Sequence, residues 1–293
     1  MRRDQAKDAQ DLYDGRSSKY DDSHHPRLAR HMAEMADLRP GEHVLDLACG
    51  TGLVSFPAST IVGADGSVVG VDISSGMLSQ ANSRLSKHDL HNVDFYQNSI
   101  TDLDALEDVK GKQFDAIMCC SALVLLEDAA GALKHWTRYL KPGGRLVTDV
   151  THPMNLAGGT ALERVGRRLQ RPVPYYREPF QTPEDLRSRM EAVGLRDVEI
   201  TFLSIQDIPG TEELKDYIVP DFAQPKIQAE YDGADADQVF EEVIGGTAYK
   251  DLASPEDVRE QAKALFREEW ARIADSDGKV RVVDGLFVGK GWK

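Results

Sequence analysis

From about residue 40 the chain alternates short apolar runs with helical patterns, and this alternation restricts its fold more than any other feature. A parallel strand is reached only by carrying the chain back across a face of the sheet, so such a text reads as strands joined by crossover helices. His43–Ala48 reads as a buried first strand, followed by Cys49-Gly-Thr-Gly52 and a helical stretch from near Leu53, whose start Pro57 shortens or kinks. Ser67–Asp72 is a second strand ending on a carboxylate. Ser74 or Ser75 caps the next helix, whose apolar face includes Met77, Leu78, Ala81 and Leu85. Val93–Gln97, Phe114–Cys119 and Arg145–Val150 supply three more strands, the last preceded by a Lys141-Pro-Gly-Gly144 turn.

Two later helices carry the same start signal. Thr182-Pro-Glu-Asp185 and Ser254-Pro-Glu-Asp257 each offer an N-cap, proline in the first turn and a carboxylate three residues on. Val198–Leu203 reads as a sixth strand, and Val280–Lys290 as a final strand pair or one long strand. The stretch between them is mostly helical in pattern. The expectation is an α/β, Rossmann-like doubly wound sheet, mostly parallel with an antiparallel last strand. A helical N-terminal lid (1–38) and a helical insertion (207–279) are added to a sheet domain formed by 39–206 and 280–293.

Composition narrows the function. The chain has 293 residues, with 35 Lys plus Arg against 49 Asp plus Glu, a formal charge of −14. That balance repels phosphate backbones, and without a basic patch nucleic acid is not an expected partner. No long apolar window marks a membrane span, and the start Met1-Arg2-Arg3-Asp4-Gln5 has no apolar core of a secretory signal. Three cysteines, Cys49, Cys119 and Cys120, make neither a disulfide framework nor a zinc site. A reducing cytoplasm is the expected location. Between Asp207 and Glu242 there are eleven acidic residues and two lysines. This stretch is either a solvated face or a lure for a cationic acceptor or basic partner.

The strongest chemical signal is Asp46-Leu-Ala-Cys-Gly-Thr-Gly52, at the end of the first strand. Glycines there let the backbone approach a ligand where a strand gives way to a helix. Asp72, some twenty residues further on at the tip of the next strand, is placed to accept from both hydroxyls of a ribose. These features suit any nucleoside-containing cofactor. A dinucleotide fingerprint fails because position 55 is Ser where a third glycine belongs. Asp46 would repel a pyrophosphate but attract an ammonium or sulfonium, which favours S-adenosylmethionine.

These residues resemble a class I S-adenosylmethionine-dependent methyltransferase of the small-molecule, ubiquinone-biosynthesis-like branch. Val44–Gly52 is similar to that family's first motif and Val69–Ser74 to its acidic second motif. Gln97-Asn-Ser99, Phe114–Met118, Cys120–Val124 and Leu140–Arg145 fall where later motifs belong. The resemblance runs from about Arg39 to Asp149 and resumes at Phe180–Leu203. It implies that Asp46 and the loop Ala48, Cys49 and Gly50 hold the methionine part of S-adenosyl-L-methionine. It further implies that Asp72 takes the ribose, that Ile73 and Met77 pack on adenine, and that Asn98 and Ser99 meet its edge, with Ser121 at the exit of the fourth strand. The family more often has Asp at position 98, so the amide would accept without charge assistance. Leu12–Gly15 and Tyr20–Pro26 resemble the family's lid, in which Tyr13 and Tyr20 either touch the ligand or staple the lid to the sheet. The implied reaction is methyl transfer to O, N or S of a small organic acceptor, including acceptors of secondary metabolism.

A base is needed only if the acceptor keeps its proton. His152, after the fifth strand, and His25, in the lid, are the candidates, each with a turn-capping or packing role as the plain alternative. Asp21, Asp22, His24 and His25 are metal-ligand types, but neighbours in sequence seldom converge on one ion, and no metal is expected. The cysteines read as packed small side chains. Tyr175, Tyr176, Phe180, Tyr217, Phe222 and Phe240 are available to line an acceptor pocket or to fill the core. The rival readings are a non-methylating protein that binds the same cofactor (a cyclase, isomerase or regulator) and a nicotinamide oxidoreductase. The sequence is compatible with a monomer or a homodimer.

Overall fold

The structure, a computed structural model, describes residues 5–88, 90–171, 173–208 and 226–293. Its frame is a seven-stranded sheet in the order β3-β2-β1-β4-β5-β9-β6. The strands are β1 (His43–Leu47), β2 (Ser67–Asp72), β3 (Val93–Gln97), β4 (Phe114–Cys119), β5 (Leu140–Thr151), β6 (Arg196–Leu203) and β9 (Leu286–Trp292). The first five run parallel, and β9 pairs antiparallel with both β5 and β6. Alternate side chains along each strand feed separate cores, as a sheet covered on both faces requires. Leu45, Leu47, Val69, Val71, Ile117 and Cys119 enter one core, and Val44, Val68, Ala116, Met118 and Val147 enter the other.

The crossover helices follow the expected signals. Pro57 sits in the first turn of α3 (Ser55–Val62), a position that a missing N–H tolerates. Ser74 caps α4 (Ser75–Leu85), its side chain accepting from the Met77 amide at 3.0 Å. α5 (Ala129–Thr137) lies between β4 and β5, and Thr182 and Asp185 form a complete capping box on α7 (Pro183–Ala192). The Lys141–Gly144 turn is absorbed into β5 as an irregularity with Gly143 at φ +77°.

Two helices, α1 (Gln5–Asp14) and α2 (His25–Met35), precede the sheet. At the other end a third apolar core forms around Phe240, Phe266 and Trp270, the last two stacked at 5.7 Å. Its helices are α6 (Ala157–Arg168), α8 (Ala236–Ile244), α9 (Lys250–Ala253) and α10 (Glu256–Ile273). Pro255 lies one residue outside α10 rather than in its first turn.

Packing contacts run across the expected boundaries at 206 and 280. α6, drawn from within 39–206, packs on α8 and α10 because its buried stripe, including Ala157, Ala161, Leu162 and Val165, belongs to the third core. The final strand pair is split. β8 (Lys279–Asp284) pairs with β7 (Lys226–Asp232) in a separate two-stranded sheet, and only β9 joins the main one. Gly285 at φ +146° turns the chain between them, close against Phe202, where no Cβ fits. No helix among the described residues is long and apolar enough to cross a membrane.

Candidate active site

A cavity of about 630 Å³ opens at the carboxyl ends of the parallel strands, where open α/β sheets take their ligands. The turn after β1 forms its floor. Ala48 and Gly50 have φ of +54° and +55°, and Ser121, at the exit of β4, has +58°. A non-glycine residue with positive φ is uncommon, and two of them against one cavity mark a backbone shaped for an occupant. A Cβ on Gly50 would meet nothing within 4 Å, whereas one on Gly52 would strike Phe56 at 2.6 Å. The first glycine therefore leaves room for a ligand and the second leaves room for the protein's own ring.

Asp72 closes one end. Its carboxylate accepts from the Gly50 amide at 2.8 Å and from the Ser74 amide at 2.8 Å, tying β2 to the glycine turn. Burial raises its pKa, opposed by these amide hydrogen bonds. Ile73, Met77, Ser99, Cys120, Ala122, Leu125 and Leu126 continue the wall, and Glu127, Asp128 and His135 complete it.

Tyr13 and Tyr20 cover the cavity, their rings 6.1 Å apart edge to face. The lid that carries them is pinned at two points. Asp14 accepts from the Ser74 hydroxyl at 2.5 Å and the Gly76 amide at 2.9 Å. Asp21 accepts from the Thr51 hydroxyl at 2.7 Å and from Arg84. Asp21 is thus a tether of the lid, and no group of acidic, His and Cys side chains among the described residues is arranged to hold a metal. Desolvation drives both tyrosine pKa values well upward, so the phenols remain protonated donors.

Five expected residues fall outside the cavity wall. Asp46 is buried beneath the turn, where its carboxylate accepts from Ser55 at 2.5 Å and desolvation pushes its pKa up to about 7. Its place as a second wall carboxylate is taken by Glu127 and Asp128. Cys49 is buried against Gly70, its amide donating to the Val71 carbonyl at 3.1 Å. Asn98 spends its side-chain amide on the Asp102 carbonyl at 2.7 Å. His25 stacks on Tyr20 at 4.4 Å with its Nδ1 bonded to Ser23, and burial takes its pKa down to about 4. His152 packs against Phe202 and Phe287 while its Nδ1 accepts from the Met154 amide at 3.1 Å. The plain turn-capping reading therefore describes His152.

His135 does line the cavity, but its Nε2 accepts from the Leu103 amide at 2.9 Å. Sequence reasoning missed it, together with Thr101 after β3 and Glu127 and Asp128 ahead of α5, because none of these wall residues belongs to a glycine motif. Asp149, at the end of β5, was also missed. It accepts from the Ser121 amide at 2.6 Å and holds that residue at its positive φ, and burial raises its pKa to about 6. Of the aromatic candidates, Phe180 and Phe240 are core, Tyr175 packs on the first core, and Tyr217 and Phe222 lie outside the described residues.

The described residues lining the cavity include three carboxylates and neither lysine nor arginine. Fold and site together define a nucleoside-binding α/β protein whose cavity suits a cation rather than a diphosphate. Residues 38–170 match the methyltransferase domain family. Over 188 residues the chain is 31% identical to the ubiquinone/menaquinone biosynthesis C-methyltransferase UbiE of Proteus mirabilis, covering 59% of this chain and 73% of that protein. It is 33% identical over 132 residues to the aklanonic acid methyltransferase DauC of Streptomyces sp. (strain C5), covering 45% of this chain but only 57% of that relative. A cyclopropane-fatty-acyl-phospholipid synthase-like protein from Lactobacillus casei shares the fold, with a TM-score of 0.55, 18% identity and 91% of each chain covered. The chain belongs to the class I methyltransferases, whose cofactor is S-adenosylmethionine.

Proposed function

We propose that this chain transfers the methyl group of S-adenosylmethionine to a small organic acceptor, at oxygen, nitrogen or sulfur. The relative UbiE is named a C-methyltransferase, so carbon joins the acceptor atoms considered. The observation that carries the reading is the cavity itself. It sits at the strand ends under two tyrosines, with Asp72, Glu127 and Asp128 in its wall and no basic residue among those described.

Asp72 would hold the ribose hydroxyls, Ile73 and Met77 would pack on the adenine, and Ser99 would meet its edge. The backbone at Ala48 and Gly50 would receive the amino-acid end. Asp46 would act from beneath through its charge, without contact. When bound, the cofactor supplies an activated methyl group on a cationic sulfur. The chain's own contribution is to align the acceptor and exclude water under the Tyr13–Tyr20 lid, which in general is worth roughly 7–11 kcal/mol. His25, His135 and His152 each have one ring nitrogen held by a neighbouring group, and His25 and His152 lie outside the cavity wall, which fits an acceptor that needs little help to lose its proton. Secondary metabolism remains the proposed setting.

Calorimetry with S-adenosylhomocysteine and NAD tests the cofactor. Binding of S-adenosylhomocysteine alone is expected, and binding of NAD alone would overturn the proposal. With an acceptor in hand, product mass tests the chemistry. A gain of one methyl group is expected, whereas an unchanged mass identifies the non-methylating alternative.

A further inference from the structure

The cavity wall is acidic, yet immediately beyond Tyr13 the charge changes sign. Tyr176 donates its amide to the Val124 carbonyl at 2.6 Å, which lays the segment 175–177 along the turn Leu123–Leu125. Leu125 and its neighbours Ala122 and Leu126 belong to the cavity wall. Tyr13 and Tyr175 pack against the same apolar core, and Tyr175 and Tyr249 both pack against the third. Arg177, next along this segment, bonds to α6 through Glu163, so it stands between the turn that lines the cavity and the helical addition.

Arg177 is 3% exposed, with its guanidinium 4.3 Å from the centroid of the Tyr175 ring. Glu163 of α6, itself 2% exposed, accepts from the Arg177 amide at 2.8 Å and from Nη1 at 3.2 Å. Arg167 approaches the same carboxylate at 3.7 Å and lies 4.1 Å over the Tyr176 ring. Two guanidinium groups thus share one carboxylate, a local surplus of positive charge in a chain of net −14. Nε of Arg177 is buried and no described group accepts from it. Buried donors in folded proteins are almost always satisfied, and a guanidinium is shaped to hold a planar oxyanion. A purely structural ion pair would need neither the surplus charge nor the spare donor.

The geometry points to Arg177 as the acceptor-recognition residue, binding a planar oxyanion of the methyl acceptor (a carboxylate or an ionised enol) on the Tyr13 side of the cofactor cavity. This rests on the methyltransferase reading and adds a substrate class to it. An acidic wall receives the cationic cofactor, and the basic group beyond it receives the acid of the acceptor. Glu163 positions Arg177, and Tyr175 and Tyr249 flank it.

The test uses the full chain saturated with S-adenosylhomocysteine. The probes are 2-naphthoate, anthracene-2-carboxylate and anthraquinone-2-carboxylate, each set against its neutral carboxamide, with affinity read by calorimetry. For at least one pair the carboxylate should bind about tenfold tighter or more, the scale of one charge-assisted hydrogen bond. Arg177→Gln should reduce that preference to within about twofold while leaving S-adenosylhomocysteine affinity within about threefold. Glu163→Gln should move it the other way, tightening carboxylate binding severalfold, which a merely structural role for the pair would not do. If Arg177→Gln does not fold, the paired change Glu163→Gln with Arg177→Met removes both charges together and should abolish the preference equally. Equal binding of acid and amide in every pair, or a preference that survives loss of Arg177, overturns the assignment. Failure of the unaltered chain to bind S-adenosylhomocysteine at all would instead remove the methyltransferase reading beneath it.

Discussion

The first five strands and the helical addition are built on opposite terms. In the sheet, the cavity is made by short local segments at strand ends, and the backbone itself is the binding surface: Ala48, Gly50 and Ser121 at positive φ, with Asp72 bonded to the turn amides. In the addition, α6, α8 and α10 are held by large interlocking side chains, Phe240, Phe266 and Trp270. No described residue of α8, α9 or α10 lines the cavity. On the proposed roles, cofactor binding and acceptor selection should be separable, since one depends on backbone shape and the other on the packing that seats Glu163 against Arg177.

The sharpest test of this separation is Gly50→Val. Open space around that position predicts a chain that folds, with only the strain of positive φ, yet whose side chain occupies the ligand's place, so S-adenosylhomocysteine binding should fall below detection. Retained binding would mean that the ligand does not lie on the turn. The mirror experiment is Trp270→Ala. Removing a fully buried indole from the third core should cost about 3–5 kcal/mol in denaturant unfolding. Cofactor affinity should stay within a few-fold, and a parallel collapse of binding would erase the distinction between the two regions.

Asp72→Ala should act more moderately. It removes one charged acceptor and leaves the Gly50 and Ser74 amides without theirs, so calorimetry should show S-adenosylhomocysteine binding about 10- to 150-fold weaker, or roughly 1.5–3 kcal/mol.

The smallest effect concerns pH. Burial raises the Asp46 pKa from 3.8 to about 7 in the fold. The stability tied to its neutral form is complete below about pH 4 and is lost as pH rises through 7. His25 runs the other way. With its pKa lowered from 6.5 to about 4, its contribution is present above pH 6.5 and disappears on acidification. Melting temperature of the ligand-free chain should therefore decline on the alkaline side of a mildly acidic maximum. Asp46→Asn should flatten the decline between pH 5 and 7.5, and an unchanged slope in that variant would assign it to another group.

Legibility followed the same division. The strands of the parallel half came through because short apolar runs and glycine turns are written over a few residues, and the antiparallel last strand came with the expected fold class. Ile73, Ser99 and Ser121 sit on the cavity because each lies within two residues of a strand end that was readable, and Met77 because it opens the helix that follows β2. Where Asp46 lies was not legible, because its strand position does not say which neighbour takes the carboxylate, and Ser55 holds it beneath the turn. The packing of α6 was illegible for a related reason: an amphipathic helix declares that it has an apolar stripe, not which core receives it.

What the sequence alone determined, then, is the sheet with its cofactor turn, since these arise from periodicity and from residues that only special backbone angles allow. Tertiary structure alone decided the sign of charge on each side of Tyr13. Glu127 and Asp128 reach the cavity from the chain beyond β4, and Arg177 meets Glu163 and Tyr175 in an arrangement that no local pattern dictates. Charges act through space, and only the fold decides which of them become neighbours.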